Sequence, residues 1–102
     1  MKLNRLHKLF IRYIDEFLLS QGAEKTIEEP FRYNEYNYKD VVYTVPYIQK
    51  YTHSVHIRFN GEPPENLEFV DPVTKEYNFH YSGMSFTVAT ELFKKHTELL
   101  WQ

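Results

Sequence analysis

The pattern of apolar and polar positions predicts a helix near each end of the chain. From residue 3 to residue 20 apolar side chains recur at steps of three and four, as on one face of a helix, and Gly22 follows as a natural helix stop. Residues 86–101 repeat this spacing, and either Ser85 or Thr87 can cap that helix. The two predicted apolar stripes are Leu3, Leu6, Phe10, Tyr13, Ile14 and Phe17, widened by Leu9, Leu18 and Leu19, and Val88, Ala89, Leu92, Phe93, His96, Leu99 and Leu100.

Between the helices the pattern changes to the period of two that is typical of strands. Residues 41–45 and 51–59 are rich in β-branched and aromatic side chains and predict two strands. Residues 67–70 and 76–81 flank an Asp71-Pro72 turn and predict a hairpin. The solvent face of the sheet is then expected to carry Thr52, Ser54, His56, Arg58, Glu68, Asn78 and His80.

Residues 23–31 are polar and end in Glu29-Pro30, so they predict a connector. The expected fold class is therefore α+β, with an N-terminal helix, a three- to four-stranded antiparallel meander sheet and a C-terminal helix. Both helices are expected on one face of the sheet, because each has a broad apolar side to bury.

Size and composition limit the class of protein. A chain of 102 residues with 18% aromatic residues predicts a single domain over residues 1–102 with a well-packed core. No apolar run approaches the roughly 18 residues of a membrane span, and charged residues interrupt the N-terminal stretch that a signal peptide would need. We therefore expect a cytoplasmic protein without a membrane partner. The absence of cysteine excludes disulfides, thiolate metal sites and cysteine nucleophiles.

Motifs for catalysis and for cofactors are missing from the sequence. His53 and His56 are three apart on a predicted strand, where they point to opposite faces, so we expect no metal site, and we expect no cofactor. His56, His80 and Glu68 are expected on one face, where they are either surface groups or an acid–base cluster. A small enzyme using this cluster is the third functional hypothesis.

The most unusual feature is a run rich in tyrosine. Six of the nine tyrosines fall between residues 33 and 51: Tyr33, Tyr36, Tyr38, Tyr43, Tyr47 and Tyr51. A small core cannot readily bury six tyrosines and also satisfy every hydroxyl, so some rings are expected at a binding surface. The alternative is that they cap the edge of the core.

The first functional hypothesis follows from this run. It is a small non-catalytic protein-interaction module, an inhibitor or regulator, that binds a partner protein or a second copy through the tyrosines. An acidic rim would flank that surface, or would be a solvated loop: Glu62, Glu65, Glu68 and Asp71.

The second hypothesis is binding of single-stranded nucleic acid, with tyrosines stacking on bases. Arg5, Lys8 and Arg12 form a basic stripe on the first predicted helix that would contact phosphates, or would be a solvated helix face. Lys39, Lys50 and Arg58 would assist them. The net charge of -2 disfavours a dedicated DNA-binding domain.

Overall fold

The computed structural model describes residues 5–29, 32–46, 53–61 and 70–101. Within these ranges the chain forms two α-helices and a six-stranded antiparallel sheet, which confirms the α+β class. The elements are α1 (Arg5–Ser20), β1 (Glu24–Glu29), β2 (Tyr33–Tyr38), β3 (Val41–Pro46), β4 (Ser54–Asn60), β5 (Val70–Asp71), β6 (Glu76–His80) and α2 (Phe86–Leu100).

Both predicted helices are confirmed, together with the residues expected to end and begin them. Helix α1 ends in a Schellman motif, because the Ala23 amide donates to the Leu18 carbonyl at 2.9 Å and the Gly22 amide to Leu19 at 3.1 Å. Gly22 has a φ of 90°, a left-handed conformation that glycine adopts without strain. Helix α2 begins after Ser85, whose hydroxyl accepts a hydrogen bond from the Val88 amide.

The expected number of strands was wrong, since residues 24–29 form strand β1 rather than a connector and residues 33–38 of the tyrosine-rich run form strand β2. Strand β1 lies at the edge of the sheet and pairs with β2 alone. Its side chains are exposed or half-buried along its whole length, and its sequence, EKTIEE, has no alternation of apolar and polar residues. The backbone hydrogen bonds to β2 therefore define this strand, and hydrophobic periodicity cannot reveal it.

The sheet order is β1-β2-β3-β4-β6-β5, which agrees with a meander only over the first four strands. Strand β6 pairs with β4 on one side and with β5 on the other, so the chain runs to the sheet edge before it returns to fill the gap. The expected hairpin of the last two strands is confirmed. The expectation of a meander failed after β4, because the next strand along the chain, β5, lies beyond β6 and not beside β4.

Both helices pack on the same face of the sheet, as expected. The ring of Phe10 in α1 has its centroid 4.4 Å from that of Phe93 in α2, and both rings contact Phe79 of β6, at 5.9 Å and 5.6 Å. Val55, Ile57 and Phe59 of β4 are buried on this face, which confirms their predicted alternation. The opposite face of the described sheet carries no helix.

The two helices run in the same direction across the sheet. The ring centroid of Tyr13 lies 5.9 Å from that of Phe93. One turn later in α1, the ring centroid of Phe17 lies 5.6 Å from that of Trp101, so positions further along α1 contact positions further along the chain from α2. The N-termini of α1 and α2 are therefore at the same end of the helical layer. Neither helix is long and apolar enough to cross a membrane.

Candidate functional site

The tyrosine-rich run does not form one exposed surface. Tyr36 and Tyr43 are directly paired across β2 and β3 and point into the core, where they are only 1% and 6% exposed. The Tyr36 hydroxyl donates to Asp15 Oδ1 at 2.6 Å and accepts from Asn34 Nδ2 at 3.2 Å. These two rings therefore belong to the core rather than to an exposed surface, and polar partners inside the fold satisfy the Tyr36 hydroxyl and let its ring be buried.

The other tyrosines of the run are divided between the two faces of the sheet. Tyr38 shares the core-side parity of Tyr36, and Lys39 Nζ lies 5.2 Å from its ring centroid. Tyr33 is on the opposite face, and both rings are half-buried. Tyr47 and Tyr51 lie outside the described residues. Tyr33 and Tyr38 consequently do not belong to a common patch.

The predicted acidic rim is described only at Asp71, since Glu62, Glu65 and Glu68 lie outside the described residues. Asp71 is exposed, and its Oδ1 accepts from the amides of Val73 at 2.8 Å and Thr74 at 3.3 Å. These bonds stabilise the turn between β5 and β6 that the Asp71-Pro72 sequence predicts. They give Asp71 a structural role, which is compatible with a further role at a surface.

The helix-free face of the sheet carries Ser54, His56, Arg58, Asn78 and His80, as predicted. These side chains pair across β4 and β6: His80 Nδ1 with Ser54 Oγ at 2.9 Å, and His56 Nδ1 with Asn78 Oδ1. The two histidines are therefore held by an amide and a hydroxyl on neighbouring positions. Thr52 and Glu68 lie outside the described residues. No group of three metal-ligating side chains occurs in the part of the chain that the structure describes.

Asp15 lies on the polar side of α1, yet it is half-buried and bonded to residues of the sheet. Its Oδ1 accepts from Lys25 Nζ of β1 at 2.6 Å as well as from Tyr36, so it joins α1 to the β1–β2 hairpin. Burial by itself lowers the pKa of Lys25, but the hydrogen bond and the charge of Asp15, assisted by Glu28, outweigh it and raise that pKa. We call Asp15, Lys25 and Tyr36 the anchor cluster.

A groove runs between α1 and α2 on the outer surface of the helical layer. Its volume is about 210 Å³, and the rings of Phe10 and Phe93 close its floor. Leu9 and Tyr13 of α1 and Thr90 of α2 form its walls. We call this feature the interhelical groove.

Charged side chains border the interhelical groove on both sides. Arg12 of α1 and Lys94 of α2 are its cations, and Lys94 Nζ lies 5.7 Å from the Tyr13 ring centroid. Glu16 also lines the groove and forms an exposed 2.9 Å ion pair with Arg12. Arg5 and Lys8 are exposed on α1 and continue the predicted basic stripe from Arg12 towards the helix N-terminus.

Several apolar residues of the predicted helix stripes are exposed rather than buried in the core. Leu9, expected to widen the stripe of α1, is 37% exposed, and Leu19, Val88 and Leu99 also remain exposed. Phe86 is 58% exposed and lies one turn before Thr90, on the side of α2 that walls the groove. One sheet face covers only part of each helix, so these stripes are wider than the core that the described chain provides.

A second, more open cavity of about 290 Å³ lies beside the helix N-termini and is lined by Arg5, His53, Tyr81 and Met84, among others. It adjoins the basic end of α1, while the interhelical groove has the apolar floor. Comparisons with models of protein families, with curated proteins and with solved structures gave no match.

Proposed function

We propose that the protein is a non-catalytic module that binds a partner protein through the interhelical groove. The observation that carries this proposal is an apolar groove on the outside of the helical layer, with Leu9 exposed in its wall and Phe86 exposed one helical turn before Thr90. Removing apolar surface from water is favourable by about 25 cal/mol per Å². A partner that covers the groove would gain this free energy, and exposed apolar patches are typical of surfaces that bind partner proteins.

The side chains around the groove favour binding over catalysis. Glu16 is its carboxylate and is held by Arg12 at the exposed rim, away from the floor of aromatic rings. Proton transfer needs a group near the reacting atoms, with a pKa matched to the task. On the opposite face of the sheet, the polar groups Ser54, His56, Asn78 and His80 pair with one another. No observation here favours the enzyme hypothesis.

A module of this kind would inhibit or regulate its partner by covering part of the partner's surface. Its aromatic floor and cationic rims would supply the anchor and the edge of the contact. This keeps the function class expected from the sequence and moves the contact surface from the tyrosine-rich run to the helices. The cytoplasmic location remains a prediction from the sequence.

A pair of matched variants tests this proposal. Leu9→Glu puts a carboxylate into the groove wall, whereas Val73→Glu puts the same side chain in the β5–β6 turn, where Val73 is 86% exposed. Proteins captured from the native host by wild type and by Val73→Glu, but not by Leu9→Glu, are purified and their affinity for each form is measured. We expect Leu9→Glu to bind about tenfold or more weakly than the other two.

Circular dichroism and thermal unfolding establish that both variants are folded before binding is compared. The proposal is overturned if every purified partner binds Leu9→Glu as tightly as it binds wild type. It is also overturned if no partner can be reconstituted from purified components.

A further inference from the structure

We infer that the occupant of the interhelical groove is an amphipathic helix of the partner, with acidic residues flanking its apolar stripe. This rests on the proposed function and names the class of partner. The juxtaposition that carries it is an apolar floor between two helices, with a cation on each rim.

The shape of the groove suits a helix. Helices α1 and α2 run in the same direction, and the part of α1 that lines the groove, from Leu9 to Glu16, extends about 11 Å at 1.5 Å per residue, which is two helical turns. Apolar side chains at every third or fourth position of a third helix would reach the floor formed by Phe10 and Phe93. This is the helix-in-groove mode of recognition, in which one apolar stripe supplies the anchors.

The charges select the residues that flank this stripe. Arg12 and Lys94 stand on opposite sides of the groove, and Glu16 pairs with Arg12 and offsets one of the two charges, so the two cations and one carboxylate of the lining leave a net charge of +1. Arg5 and Lys8 extend the positive charge along α1. The N-termini of α1 and α2 meet at that end, and each contributes a partial positive charge. Acidic residues on both sides of an apolar stripe complement this pattern.

Addition of a partner strand to the sheet is a poorer alternative, because both described edges are protected. Edge strand β1 carries Glu24, Lys25, Glu28 and Glu29 and has a register shift between Lys25 and Ile27. Edge strand β5 is two residues long. Charged, bulged or short edges are features that prevent strand pairing.

A second copy of the chain also fits less well than an acidic helix. In a two-fold symmetric contact the same patch meets itself, so the stripe of Arg5, Lys8 and Arg12 would approach its own copy. Like charges brought together at an interface oppose association.

The experiment uses three synthetic peptides about as long as α1. All three carry leucine at helical spacing; the first has glutamate on both flanks of this stripe, the second has lysine there, and the third is a scramble of the first. Affinity for the full chain is measured by fluorescence anisotropy at low and at physiological salt. We expect the glutamate-flanked peptide to bind about tenfold or more tightly than the other two, and more weakly as salt rises.

Charge-reversal variants locate the contact. Arg12→Glu combined with Lys94→Glu reverses both rims, and Lys39→Glu combined with Lys95→Glu makes the same change in net charge outside the groove. The first pair of substitutions should weaken binding of the glutamate-flanked peptide by about tenfold and strengthen binding of the lysine-flanked peptide, because the rim charges act at close range. The second pair should change either affinity by less than about threefold.

The outcomes separate this inference from the proposed function. Equal affinity for the glutamate- and lysine-flanked peptides, or no binding of either, overturns the acidic-helix inference. The proposed function then still stands if a purified partner shows the Leu9→Glu defect. A dimer in sedimentation that Leu9→Glu dissociates would assign the groove to a second copy. Tighter binding of a single-stranded oligonucleotide that Arg12→Glu abolishes would assign it to nucleic acid. Either result contradicts the inference.

Discussion

At the scale of single residues, the most informative contrast is between the neighbouring carboxylates Asp15 and Glu16. Hydropathy places both on the polar side of α1, and the sequence alone treats them alike. Asp15 is half-buried and holds Lys25 and Tyr36 in the anchor cluster, while Glu16 makes an exposed pair with Arg12. Successive side chains on a helix point about 100° apart, so Asp15 faces Lys25 and Tyr36 of the sheet while Glu16 faces the solvent.

The anchor cluster predicts a large difference between two equivalent substitutions. Asp15→Ala should lower the free energy of unfolding by about 2–3 kcal/mol, because it removes the acceptor of the buried Tyr36 hydroxyl and the nearer of the two carboxylates that pair with Lys25. Glu16→Ala should lower it by less than about 0.5 kcal/mol, since exposed ion pairs contribute little. Urea unfolding followed by circular dichroism measures both, and similar values for the two variants would contradict the role of the cluster.

At the scale of elements, the sequence predicts the parts that bury apolar stripes and misses those that hydrogen bonding defines. Both helices, β3 and the β5–β6 hairpin follow from periodicity and turn residues. The hairpin of β1 and β2 does not, because β1 is polar and the turn between β2 and β3 uses Lys39 and Asp40 at φ values of 51° and 62°. Such two-residue turns usually contain Asn-Gly or Asp-Gly, so Lys-Asp gives no sequence signal.

This turn predicts a stabilising glycine. Asp40→Gly should raise the free energy of unfolding by about 0.5–1 kcal/mol, because it removes the cost of a left-handed conformation at an exposed residue. Lys95→Gly, at an exposed position inside α2, should lower it by about 1 kcal/mol. Thermal unfolding of the two variants beside wild type checks the opposite signs, and a loss of stability in Asp40→Gly would show that the turn has another conformation.

At the scale of the whole molecule, one sheet face and both helices share a single hydrophobic core, and the outer side of the helical layer retains the interhelical groove. The basic stripe of Arg5, Lys8 and Arg12 was predicted correctly as exposed charge. The groove itself was not predicted, because periodicity assigned Leu9 to the core and cannot tell how far one sheet covers a helix. The burial of Tyr36 was not predicted for a related reason, because Asp15, which accepts the hydrogen bond of its hydroxyl, is distant in sequence.

The buried ionisable groups predict that the fold loses stability at alkaline pH. Burial raises the pKa of Tyr43 and Tyr77. Burial lowers the pKa of Lys25, but the hydrogen bond and the charge of Asp15 outweigh it, so that pKa is raised too. A group whose pKa is raised by folding stabilises fully below its unfolded value, about 10 for Tyr and 10.4 for Lys, and this stabilisation is lost as pH rises through the folded value. Urea unfolding should therefore give a falling free energy of unfolding from about pH 10 to 11. A constant free energy over that interval would contradict these assignments.

Binding of a partner through the interhelical groove would change the surroundings of residues on the helical side of the molecule. Its most direct test is a ¹⁵N–¹H correlation spectrum of the full chain, titrated with the glutamate-flanked peptide. We expect shift changes concentrated at Leu9, Tyr13, Thr90 and Lys94, while the resonances of the sheet-face residues Thr44 and Asn78 stay unchanged. Shift changes centred on Thr44 and Asn78, or a spectrum that the peptide leaves unchanged, would contradict it.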